Sequence, residues 1–288
     1  MLKDCFSHYR QHVERFSKTT TKTDYIKRLE RLERYAKKNN YIEFSDTFFL
    51  RFLDHLYLER KVSARTYNNY RTWCYGFCMW LWQHQFIENN PIENIKTLRE
   101  PPKFRQPLPT PVLKQVREYL LNRNRHFLLA VMMEYYTFIR PGELSNIRIR
   151  DIDVVSQTIY ISDEISKNGK AERVGLNDAI LSLMSDLDVL SKHKDWYLFS
   201  NRCRPGKAKL EPRMFRDRWV RLRKRLNLPK EYQFYSLKDS GIRDLANSAG
   251  IIIARDQARH SSVAVTNKYL QGRDRPVHTE TIHFKGAL

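Results

Sequence analysis

Near the C-terminus the chain reads "QARHSSVAVTNKYLQ", which sets His260 nine positions ahead of Tyr269 with two serines following the histidine. A tyrosine hydroxyl is a nucleophile once it is activated, and an imidazole beside it is a hydrogen-bond donor near neutral pH. Taken singly, a satisfied core histidine and a packing aromatic account for both. The pair gains weight only if other residues serve the same chemistry. Three stretches offer candidates, in this order along the chain. "TFIRPGELSNIRIRDID" carries Arg140 and Glu143, two lysines, Lys167 and Lys170, flank Asn168-Gly169, and "YSLKDSGIRDLANSAG" carries Tyr235 and Lys238. Arg259 stands directly before the histidine.

The chain that must position them has 288 residues, enough for two domains with a core in each. With 41% hydrophobic residues it is globular rather than disordered. The longest apolar stretch, "HFLLAVMMEYYTFI", is shorter than a membrane span and runs into Arg140, so it reads as a buried helix. "MLKDCFSHYRQ" has no apolar signal-peptide core, and a cytoplasmic, nucleoid-associated protein without a membrane partner is expected. Cys5, Cys74, Cys78 and Cys203 have neither zinc-site spacing nor the density of a disulfide framework, and they read as reduced, structural thiols.

Charge narrows the function. Lys and Arg number 52 against 32 Asp and Glu, a net charge of +20. The first 100 residues already hold 18 basic against 12 acidic side chains, so the excess is spread over both halves and is no disordered tail. That is the footprint of a protein holding a polyanion between two domains, although a ribosome-associated or membrane-surface protein is equally basic.

The first part reads as helices. "TDYIKRLERLERYAKKNN" puts Tyr25, Leu29, Leu32 and Tyr35 on one face. "SDTFFLRFLDHLYLER" opens on a Ser-Asp cap and offers Phe48, Leu50, Phe52, Leu53 and Leu56 for burial. A third segment, capped at Ser63, repeats Tyr67, Tyr70, Cys74, Phe77 and Leu81 at helical spacing, a stripe that reads as core rather than as a base-stacking platform. With a further helix from about Phe6 to Phe16 these make a four-helix antiparallel bundle. Five prolines in "LREPPKFRQPLPTPVL" mark an extended linker. Residues 1–97 are therefore expected as a helical domain, 98–109 as linker and 110–288 as a second domain, with Thr110-Pro111 capping its first helix. There "TIYIS" and "AERVGL" read as strands joined by an Asn168-Gly169 hairpin turn. "EPRMFRDRWVRLRKRLNL" buries Phe215, Trp219, Leu222 and Leu226 and turns arginines outward, and Ser236 with Asp239 reads as a capping box. The expected fold class is mainly α with a small antiparallel β-sheet.

Taken in order, the four motifs resemble the tyrosine recombinases, the phage-integrase family. The resemblance covers roughly residues 109–275, and the helical first domain is similar to the family's core-binding domain. It implies that Arg140 is the first catalytic arginine and Glu143 the acidic residue after it. Lys167 is implied as the hairpin lysine, with Lys170 as its alternative. His260 matches the histidine of the family's "GH" motif and Tyr269 the nucleophile. The chain departs from the pattern at "HxxR", where it has Tyr235 and Lys238, and at Arg259, where glycine is usual. A divergent branch carried by mobile elements of gut anaerobes has a similar "YSLKDTG…RHSS" pattern.

The implied chemistry uses these residue types. The Tyr269 hydroxyl attacks a DNA phosphodiester to leave a 3′-phosphotyrosine and a free 5′-hydroxyl. Arg140 offers a planar fork of donors to the phosphorane-like transition state. Lys238, in a helix first turn, adds a point charge. His260 donates to a phosphate oxygen, and Lys167 protonates the leaving oxygen. No metal or nucleotide cofactor is expected. The expected partners are double-stranded DNA with specific core sites and three further copies of the chain, with accessory DNA-bending factors as further candidates. Residues 277–288 read as a tail crossing between protomers on Ile282 and Phe284. Two other readings stand beside this one: a type IB topoisomerase, and a catalytically inactive DNA-binding protein on the recombinase fold, favoured by the loss of "HxxR".

Overall fold

The computed structural model describes residues 2–16, 19–101 and 106–270. The chain divides into two units, Met1–Pro102 and Lys103–Leu288.

In the first unit apolar residues recur every three or four positions and build four helices: α1 Leu2–Glu14, α2 Thr19–Lys38, α3 Asp46–Asp54 and α4 Ala64–Gln83. The first helix starts before Phe6 because Cys5 already belongs to its buried face. Ser45 and Ser63 cap α3 and α4 by accepting from the backbone N–H three residues on. The core is aromatic, with Phe48, Phe49, Phe52 and Phe77 fully enclosed. Leu50 does not join it: it is 45% exposed while Phe49 is buried, because Phe49, Phe52, Leu53 and Leu56 form the i, i+3, i+4, i+7 stripe. Tyr70, at the edge of the expected stripe, lies under the guanidinium groups of Arg28 and Arg31. The proline-rich stretch is pinned at both described ends. Asn68 brackets Leu98, accepting from its N–H and donating to its carbonyl, and Leu108 is fully buried with its N–H on Ser240.

The second unit is built round α6, Arg125–Thr137, which is buried on nearly every face. Before it comes α5, Thr110–Arg123, preceded by Pro109 with no side-chain cap. After it come the short α7, Pro141–Leu144, and a three-stranded antiparallel sheet of β1 Ile152–Asp153, β2 Thr158–Ile161 and β3 Glu172–Gly175. Ile159 pairs with Ile152 on one side and Val174 on the other, and all three are buried. Tyr160 faces outward, under the guanidinium of its cross-strand partner Arg173. Asn168-Gly169 is no two-residue hairpin turn. Strand pairing stops at Ile161 and Glu172, and Gly169, at φ 67°, bends the loop between them. A tight turn would require the ladder to continue to the residues flanking it.

Among the described residues five α-helices follow: α8 Asp178–Asp186, α9 Pro212–Arg225, α10 Ser236–Ala249, α11 Ile251–Gln257 and α12 Val263–Leu270. On α9 Phe215, Trp219 and Leu222 are buried as expected. At α10 the expected capping box is absent. Ser236 is already helical, Tyr235 stands at the cap without a side-chain bond, and the Ser236 hydroxyl accepts from the Gln233 N–H on the preceding turn. Among the described residues no helix is long and apolar enough to cross a membrane.

The approach of α10 to α6 fixes the site. A Cβ on Gly241 would stand 1.8 Å from the Tyr135 carbonyl oxygen and 2.6 Å from the Phe138 ring, so only glycine permits the contact. Gly241→Ala is expected to lower the unfolding free energy by about 3 kcal/mol or more, since backbone stands in the way. Urea denaturation measures it, and a loss below about 1 kcal/mol would mean that the two helices slide apart freely.

Candidate active site

Helix α6 ends because Phe138 takes the left-handed conformation, φ 57°. The chain then turns through Ile139 into Arg140, whose successor Pro141 has the fixed φ that suits the first position of a helix. Glu143, three residues on, reaches back. Its carboxylate accepts from the Arg140 N–H at 3.2 Å and from the Arg140 guanidinium at 3.1 Å. The Lys167 N–H donates to it at 3.0 Å, and so does the Arg259 guanidinium. The Glu143 side chain is 3% exposed and that of Arg259 2%. Burial works to raise the Glu143 carboxyl, but the Lys167 N–H and the two arginines outweigh it and hold it below the usual carboxylate range. Glu143 thus ties together α7, the β2–β3 loop and the turn after α11.

That turn carries a strained residue. Arg259 has φ 56°, a conformation that favours glycine. The cost is offset by its ion pair with Glu143 and by Glu172, 3.6 Å from its other terminal nitrogen. An arginine here therefore exchanges backbone ease for a buried cation.

His260 follows. Its Nδ1 lies 2.9 Å from the Thr266 hydroxyl, and its ring stacks on Tyr269 with centroids 5.1 Å apart. The spacing from 260 to 269 works because a short turn and two turns of α12 bring Thr266 and Tyr269, one helical turn apart, over the imidazole. Tyr269 is 8% exposed and packs with Phe138, Ile242, Ala254 and Ala258 in a small core of its own. It lies close to Tyr235, whose own hydroxyl is pushed far above the usual range, by burial first and then by Tyr269.

Lys238 is not at a surface anion site. It is fully buried, and its Nζ donates to the Phe138 carbonyl at 2.6 Å, at the C-terminal end of α6. Burial, then Arg140, push its pKa down to about 8, against the pull of Glu134 and Glu143. Lys167 is bound through its backbone while its side chain is exposed, and Lys170 is exposed farther along the same loop. The structure therefore brings Arg140, Glu143, Arg259 and the Lys167 backbone into one network, joins His260, Tyr235 and Tyr269 in another, and sets Lys238 behind both.

Two residues escaped the sequence reading. Thr266 gave no signal, being one threonine among many. Glu134 did: it is the one acidic residue in "HFLLAVMMEYYTFI", inside a helix apolar on every face. Among the described residues no group of three or more His, Cys, Asp or Glu could hold a metal ion.

The Glu143 network makes a stability prediction. Glu143→Ala leaves the Arg259 cation buried without its main partner and should cost about 3–5 kcal/mol. Arg259→Gly relieves the backbone and leaves Glu143 with Arg140, so it should cost clearly less, about 1–2 kcal/mol. Because the folded-state pKa of Glu143 is depressed, its contribution is present above the unfolded carboxyl value near 4.3 and lost as pH falls below it. Denaturant titrations of both variants across that window check the order and the sign.

Comparison with known proteins follows the same lines. A tyrosine recombinase of Thermosipho africanus is 26% identical over 281 residues, covering 94% of this chain and 95% of that protein. The crystal structure of a lambda integrase dimer bound to a COC′ core site superposes with TM-score 0.75 at 17% identity, covering 96% of this chain and 97% of that one. A Tn1549 transposon integrase in complex with circular intermediate DNA gives TM-score 0.73 at 15% identity, covering 97% of each chain. Both share the fold, mainly helical with a small antiparallel sheet. The model of the phage integrase family matches residues 111–275, more than half of the 288, and on that match the chain belongs to the phage integrase family.

Proposed function

We propose that this chain is a site-specific DNA recombinase that cuts and rejoins strands through a 3′-phosphotyrosine on Tyr269. The observation that supports the reading is one phenol with two ring partners: Tyr269 stacks on His260 and lies close enough to Tyr235 to influence its hydroxyl. Arg140 stands close enough to influence Tyr235. In the forward step the Tyr269 oxygen gives its proton to solvent and bonds to phosphorus, and the bond from phosphorus to the 5′-oxygen breaks. Lys167 gives the leaving oxygen its proton. Arg140, His260 and Lys238 balance the charge that develops on the phosphoryl oxygens. Rejoining is the reverse attack by a 5′-hydroxyl, so the energy of the broken bond is kept in the phosphotyrosine. At 8% exposure the phenol meets a phosphate only after α12 shifts from its present packing.

The partner in this reading is double-stranded DNA with specific core sites. Relatives of the fold have been crystallised as a lambda integrase dimer on a core site and as a tetramer on a Holliday junction. They support a homotetramer spanning two sites, with or without accessory DNA-bending factors. Residues 1–97 and 110–288 serve as core-binding and catalytic domains. The proposed exchange of residues 277–288 between protomers falls outside the described residues.

The burial of Lys238 favours a second reading, a DNA-binding protein of this fold that does not cut. Trapping on a nicked suicide duplex separates the two. The wild-type chain should form a covalent adduct, and Tyr269→Phe should bind the duplex equally well and form none. An adduct surviving in the Phe variant would sink the assignment, and no adduct from wild type favours the non-cutting reading. A duplex with a 5′-thio leaving group, which needs little protonation, should restore cleavage to Lys167→Ala. Rescue of Lys170→Ala in its place would move the acid to Lys170.

A further inference from the structure

Glu134 is a carboxylate with no visible reason to be where it is. It lies near the C-terminal end of α6, it is fully buried, and neither of its oxygens has a hydrogen-bond partner among the described residues. A buried polar group without a partner is costly, and a buried charge more so. Four residues on, the Phe138 carbonyl receives the Lys238 ammonium at 2.6 Å. Helix α6 ends at Thr137, and the ammonium docks on the carbonyl that follows it, about one turn on from Glu134. An ammonium has three N–H donors, and one is spent on Phe138. Glu134 and Lys238 are thus both buried at the same end of α6, within electrostatic reach of each other.

We propose that Glu134 is a positioning residue for Lys238, its carboxylate keeping the ammonium charged and docked at the end of α6 so that a cation stands ready beside Arg140. This rests on reading Lys238 as one of the cations of the phosphate site. The need follows from the residue type. A guanidinium keeps its proton in any protein interior, whereas a buried ammonium sheds it readily. The other charges around Lys238 are mixed. Arg140, at the start of α7, and Arg259, after α11, oppose its charge, while Glu143 on α7 supports it as Glu134 does. Asp239 on α10 and Tyr235 at its cap lie within electrostatic reach of Glu134. Burial lifts the Glu134 carboxyl well above its usual range, and the Lys238 ammonium is the largest influence holding it down. Each member of the pair therefore favours the charged form of the other.

The test replaces Glu134 by glutamine, which keeps the shape and removes the charge. In the full chain labelled with 13Cε-lysine, the Lys238 resonance is the one missing from Lys238→Met. Its titration midpoint should fall by about one pH unit in Glu134→Gln, and an unchanged midpoint overturns the proposal. On the nicked duplex, Glu134→Gln should slow adduct formation about tenfold near pH 8.5 and by less than about threefold near pH 6.5. Adding Lys238→Arg should remove that difference between the two pH values. An equal loss at every pH, not restored by arginine, would make Glu134 a packing residue only and overturn the proposal. If wild type gives no adduct, the recombinase reading fails while the resonance still decides the pairing. Should Glu134→Gln not fold, Glu134→Asp withdraws the charge by one methylene and should lower the midpoint by a smaller step.

Discussion

One buried carboxylate holds three stretches of the second unit together. Glu143 accepts four hydrogen bonds from three stretches that are distant in sequence: the Arg140 backbone and guanidinium, the Lys167 backbone and the Arg259 guanidinium. In a poorly solvated interior such charge-assisted bonds are strong, and losing one partner leaves another charge stranded. The loop carrying Lys167 and the turn preceding His260 are thereby set at fixed positions relative to Arg140. The three-stranded sheet contributes by delivering that loop, and α11 by delivering that turn.

The end of α6 is the second fixed point. A helix buried on nearly every face leaves few of its last carbonyls to water, so they need donors from the protein. Phe138, turned into the left-handed conformation, gives its carbonyl to Lys238. Gly241 lets α10 come close enough for that bond by presenting no Cβ to the Tyr135 carbonyl. The lysine and the glycine of α10 are in this way both referred to the backbone at the end of α6, at Phe138 and Tyr135.

Much of this was legible in the sequence where a local rule decides the outcome. Ser45 and Ser63 cap their helices as their position before an apolar period implies, and the spacing of His260 and Tyr269 closes on the structure as a turn and two helical turns. Reading failed where a tertiary contact overrode the local signal. Asn168-Gly169 has hairpin chemistry, but the Lys167 N–H is taken by Glu143, and the loop is wide. Ser236 has cap chemistry, but its hydroxyl bonds backwards to Gln233. Leu50 was assigned to the core in place of Phe49 because both fit a helical period and only packing chooses between them. Lys238 was expected to face an anion because helix position says where a side chain starts, not which way a long one bends. The residues and order of the motifs carried the family; the direction of each side chain came only from the fold.

The packing of Tyr269 has a consequence for solvent. Its ring is one of the two aromatic rings in a cluster separate from the main core, with Phe138 as the other and Ile242, Ala254 and Ala258 between helices α10, α11 and α12. Withdrawing the phenol leaves a void that those aliphatic groups cannot fill. Exposure of the ring and loosening of the contacts among α10, α11 and α12 are then coupled. Excluded osmolytes, which favour burial, shift that balance towards the covered ring, and dilute urea shifts it towards the open one.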